Sequence, residues 1–96
     1  MSKIILVNQT DDKNIVLDWE LNEKNIEAHR EEIDYYGDVA VYAFDSDGDI
    51  LSECQFGCGD VADILYDAIR QCQDIIRKYE DWCDEIHVCF TYVKPY

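Results

Sequence analysis

Positive charge is what this chain has least of. Eight Lys and Arg stand against 22 Asp and Glu, so 96 residues carry a formal net charge of −14. Sequence-independent binding of nucleic acid needs a basic surface to neutralise phosphates, and anionic membranes repel a chain of this sign; both are excluded as direct partners. Long apolar runs are missing as well. Nothing approaches the roughly 18 residues that span a bilayer, and the apolar run at residues 4–7 is too short for a signal peptide and reads as a first strand. A cytoplasmic location is the expectation. The five cysteines, Cys54, Cys58, Cys72, Cys83 and Cys89, are odd in number and contain no Cys-x-x-Cys pair. A secreted disulfide framework would pair all of them, so free thiols are expected, with Cys72 and Cys89 at core positions. Repeats and low-complexity segments are also absent.

Acidity alone would suggest disorder, but the apolar content is 48% and seven Tyr, three Phe and two Trp are present. Acidic disordered segments are poor in such residues. A single compact domain over residues 1–96 is therefore expected, large enough for one core. Alternation of Ile15, Leu17, Trp19 and Leu21 against Asp18 and Glu20 predicts a second strand, with Trp19 anchoring the core. Asn22 can cap a helix running to about Tyr36, stopped by Gly37, with a thin buried stripe of Ile26, Ile33 and Tyr36. Residues 39–44 and 50–56 flank an Asp-Gly turn and predict a hairpin. Asp60 can cap a long helix whose stripe is Val61, Leu65, Ala68, Ile69, Cys72, Ile75, Ile76 and Tyr79. Residues 85–93 alternate as a last strand. The predicted fold is α+β, in β-β-α-β-β-α-β order: a five-stranded antiparallel or mixed sheet with the long helix on one face.

The charge is unevenly spread. Residues 18–60 hold 13 acids against Lys24 and Arg30, a net −11, whereas residues 61–96 hold seven acids and four bases, a net −3. Self-repulsion on this scale opposes the compact state, and far less charge suffices for solubility. A rigid protein that presents carboxylates along a helix and a hairpin can occupy the Lys- and Arg-lined groove of a nucleic-acid-binding protein, steered there by long-range attraction. The candidate surface is Asp18, Glu20, Glu23, Glu27, Glu31, Glu32, Asp34, Asp38, Asp45, Asp47 and Asp49, with Tyr35 as an aromatic anchor.

In size and charge the chain resembles the anti-CRISPR and anti-restriction mimics of phages and plasmids, and the acidic immunity proteins that block nuclease toxins. The resemblance lies in composition and carries no motif. The expected function is a non-enzymatic inhibitor, monomer or homodimer, acting on a basic partner such as a nuclease or CRISPR effector, without cofactor or metal. The alternatives are an interaction module that uses Tyr and Trp, and a small cysteine enzyme.

Three patterns invite other chemistry. Asp45-x-Asp47-x-Asp49 matches the start of a calcium loop, but Ile50 and Phe56 stand where an EF-hand needs Gly and Glu, so a turn is expected. Cys58, in a Gly-Cys-Gly turn before the long helix, is the best candidate nucleophile. Its base would have to be His29 or His87, and Asp60 nearby opposes thiolate formation. Cys54, Cys58, Cys83 and His87 can be drawn as a zinc set, though without the tight knuckle spacing of structural sites.

Overall fold

A computed structural model describes residues 2–93. Within them the order is β1 (Lys3–Asn8), a 3-10 turn (Thr10–Asp12), β2 (Ile15–Val16), α1 (Glu23–Ala28), α2 (Arg30–Ile33), β3 (Tyr36–Phe44), β4 (Ile50–Asp60), α3 (Val61–Tyr79), a second 3-10 turn (Glu80–Trp82) and β5 (Glu85–Tyr92). The strands form one mixed sheet in the order β2-β1-β5-β3-β4. β1 runs parallel to β5, and every other pairing is antiparallel. The last strand thus lies at the centre of the sheet.

The helices pack on one face. Val39, Val41 and Ala43 of β3 and Ile86, Val88 and Phe90 of β5 alternate inward and meet Val61, Leu65, Ala68, Cys72 and Ile75 of α3. Fully burying an aliphatic side chain of this kind is worth about 1.5–3 kcal/mol. The α3 stripe falls almost where helical periodicity places it. Ile76 is the exception, lying at the stripe's outer margin and 36% exposed. Asp60 caps α3 by accepting the Ala62 N–H at 3.1 Å.

The segment before β3 departs from expectation. One continuous helix is replaced by α1 and α2, broken at His29 (φ −109°, ψ 15°). Ile26 and Ile33 are buried on the core, but His29 and Arg30 stand between them, so no apolar side chain holds the middle turn. Tyr36 is 59% exposed and already belongs to β3. Gly37 therefore does not stop a helix. It lies within β3, against the backbone of β5, where a Cβ would sit 2.2 Å from the Thr91 carbonyl oxygen.

The second strand is also shorter than expected. Only Ile15 and Val16 pair with β1, and the Leu17 N–H makes a further bond to Leu6 O at 2.9 Å. Beyond it the chain leaves the sheet edge to reach the helical layer. Leu17, Trp19 and Leu21 still turn inward, so the alternation reported burial correctly without a ladder, whereas Ile15 is 51% exposed. In the hairpin, Gly48 takes the positive φ (+82°) that its turn requires. β4 continues through Gly57-Cys58-Gly59 to Asp60, past the break expected there.

Candidate partner-binding surface

No charged side chain is buried among the described residues, so their carboxylates stay within reach of a partner. α1 and α2 lie antiparallel along the first half of α3, joined to it by successive contacts. The Tyr66 hydroxyl donates to Glu27, Arg30 reaches Asp63 at 3.7 Å, and Asp34 meets Asp60. Arg30 is the hub. It forks onto Glu27, with Nε to Oε2 at 3.1 Å and Nη2 to Oε1 at 2.9 Å, and Nη1 lies 3.9 Å from Asp34. This fork holds the Glu27 carboxyl at about 2, helped by the Tyr66 hydroxyl.

The positive charge of Arg30 is thus consumed inside the cluster. The same helices carry Glu23, Glu31 and Glu32 in α1 and α2 and Asp63 and Asp67 in α3, with Asp60 at the α3 cap and Lys24 and Arg70 as further bases. The Asp60 carboxyl is raised above its ordinary range, first by its hydrogen bond with Asp34, which signals two carboxyls forced together. Tyr35, 56% exposed, stacks edge-on against Tyr92 at 5.1 Å beside this ridge. The ridge is the main acidic surface.

The other expected residues are scattered. Asp18 and Glu20 flank Trp19 beside the β1 edge, near Lys3. Asp38 lies on the opposite face of the sheet from α3. Asp45, Asp47 and Asp49 occupy the hairpin tip, seven to eleven residues further along the chain, and β3 alone carries that tip about 20 Å from Asp38. The twelve expected residues therefore form separate patches and not one surface. Asp60, Asp63 and Asp67 lie outside the expected surface, although Asp60 is the expected cap of α3 and Asp63 stands in its first turn. So do Asp81 and the 75%-exposed Trp82, which the fold sets beside Asp45 and Asp47.

The hairpin brings one carboxylate oxygen from each of Asp45, Asp47 and Asp49 within 4.8 Å of one another. Asp45 Oδ1 already accepts the N–H groups of Asp47 and Asp49, both at 2.9 Å, which is turn chemistry. The cysteine constellations disperse. Cys58 lies at the far end of β4, whereas buried Cys83 lies just before β5, at the hairpin end of the sheet. The Cys58 thiol donates to Asp38 Oδ1 at 2.6 Å, and this hydrogen bond to a carboxylate raises the thiol above its ordinary value. His29 stacks on Trp19 at 4.5 Å and pairs with Glu32, while His87 pairs with Glu85 and packs on Phe44. Neither ring is thereby positioned as a base for Cys58.

No helix among the described residues is long and apolar enough to cross a membrane. The chain matches no protein-family model, no curated protein and no solved structure.

Proposed function

We propose that this protein is a non-enzymatic inhibitor whose acidic ridge occupies the basic nucleic-acid groove of a nuclease or a related defence protein, including a CRISPR effector. One observation carries the reading. Carboxylates from α1, α2 and α3 converge on a single ridge whose central arginine is already tied to Glu27, Asp34 and Asp63. Such a ridge offers closely spaced negative charge on packed helices, which is the feature a phosphate backbone presents to a Lys- and Arg-lined groove. Arg30 and Tyr66 fix the geometry, so little ordering is left for the moment of binding. The exposed Tyr35 supplies an aromatic contact at the rim.

The test is capture of partners from host lysate at low and high salt, using wild type and a Glu23→Lys, Glu31→Lys, Glu32→Lys variant. Glu27 is left intact because it holds Arg30 and Tyr66. The expected result is a basic nuclease or nucleoprotein that wild type retains at low salt and sheds at high salt, as screening shortens below about 10 Å. The triple variant should lose it. Equal retention by the variant would overturn the assignment of the ridge.

A further inference from the structure

The face of the sheet opposite the helices carries a shallow trough, and its geometry follows from register. Three rows of outward residues cross the strands. The middle row is Gln55, Ala40, Cys89, Val7 and Val16, taken from β4, β3, β5, β1 and β2. Its centre is built of small side chains: Ala40 is half-buried, and Cys89 and Val7 are each 6% exposed. Tyr42 rises on one side, in a row with Glu53 and His87. On the other side stand Asp38 and Thr91, paired across β3 and β5. Gln9, Asp38, Tyr42, Gln55 and Thr91 stand around Ala40 and Cys89 in one concavity, open to solvent, with small side chains at its floor, a mostly polar lining and a carboxylate at its rim.

We propose that this trough seats an arginine side chain of a cationic protein partner. The aliphatic stem lies over Ala40 and Cys89 beside the Tyr42 ring. The guanidinium then reaches Asp38, with the Gln55 amide and the Thr91 hydroxyl as further acceptors. Asp38 already accepts the Cys58 thiol through Oδ1, but a carboxylate has room for about four donors, so capacity remains for a guanidinium. Charge selects this occupant over a second copy of the chain. Two molecules at −14 repel each other, and Asp38 at the trough and Glu53 in the row beside it would face their own kind. A neutral apolar segment would offer the Asp38 carboxylate no countercharge.

The inference rests on the reading of a basic partner, but it concerns the opposite face of the sheet from the acidic ridge. The two fail separately. The experiment is an amide-resolved NMR titration of the full chain with N-acetyl-arginine amide, using the uncharged citrulline analogue as control. The expected result is saturable shifts centred on Ala40, Gln55 and Cys89, with affinity on the order of millimolar. The citrulline analogue should weaken binding about tenfold, as should Ala40→Leu, which fills the floor, and Asp38→Asn, which removes the charge. The Glu23→Lys, Glu31→Lys, Glu32→Lys variant should retain the trough shifts. Shifts confined to α1 and α2 and unchanged in Ala40→Leu would overturn the trough while leaving the ridge standing. So would an arginine response no stronger than that of the citrulline analogue. Loss of the trough shifts in the triple-lysine variant would show that the two surfaces are not independent, which also overturns the proposal as stated.

Discussion

Gly37 and Thr91 approach so closely that a Cβ on Gly37 would lie 2.2 Å from the Thr91 carbonyl oxygen. The contact is backbone against backbone, within the β3–β5 ladder at the centre of the sheet. No flexible side chain can yield there. Gly37→Ala should therefore destabilise the protein by about 3 kcal/mol, read as a lower urea midpoint at unchanged slope. Gly57 gives the matched control, because a Cβ there meets nothing within 4 Å. Gly57→Ala should be neutral or stabilising by up to about 1 kcal/mol.

Acid should loosen the join between the first two helices and α3. The Glu27 carboxyl is held at about 2, against its ordinary 4.5, by Arg30 and Tyr66. A carboxyl depressed on folding contributes stability that is fully present above its unfolded value and lost as pH falls through the folded one. The loss attributable to Glu27 therefore lies between about pH 4.5 and 2. Glu27→Gln should reduce the slope of stability against pH in that window, followed by urea melts at successive pH values. An unchanged slope would mean that the fork does not form in solution.

At Cys58 the neighbouring carboxylate suppresses the thiolate. Asp38→Asn keeps the shape and removes the charge, so alkylation of Cys58 by iodoacetamide near neutral pH should quicken roughly threefold. The rise in thiolate is partly offset by lower intrinsic nucleophilicity. Peptide mapping separates Cys58 from the buried Cys72, Cys83 and Cys89. Burial pushes Cys72 up to about 12, which keeps its background low.

Of the three hairpin aspartates, only Asp45 holds the turn with its side chain, through the two bonds from Asp47 and Asp49. Asp45→Ala should cost about 1 kcal/mol in thermal or urea unfolding. Asp47→Ala should fall within about half of that from wild type. Equal effects at both positions would place the role of the cluster in its charge.

The elements legible in the sequence are those that short-range rules govern. The α3 stripe, the Asn22 and Asp60 caps and the Asp-Gly hairpin depend on neighbours a few residues away, and each stands where periodicity or turn chemistry puts it. Misreadings begin where a distant strand decides. Gly37 looks like a helix stop until β5 is laid beside it. Residues 15–21 look like a strand because their alternation survives after the ladder ends. The acidic ridge is half legible: Glu23, Glu27, Glu31, Glu32 and Asp34 all stand among the carboxylates expected along the first helix. The α3 acids that complete it are brought in by packing across more than 25 residues, as Arg30 and Asp63 show. The trough was not legible at all, since it exists only once β1, β3, β4 and β5 are in register.

That β5 sits between β1 and β3 sets an order of events during synthesis. While the ribosome still holds the residues after α3, the emerged chain can form the β3–β4 hairpin and the helices. The edge pair β1–β2 has nothing to join them to. The sheet becomes continuous only once β5 lies between them, bonding to β1 on one side and β3 on the other. Closing those long-range pairings is the slow kind of contact formation, and until it happens the apolar faces of both fragments stay open to water. A chain cut before Glu85 would lose more than its last strand. It would be left as two pieces of a sheet with no seam between them.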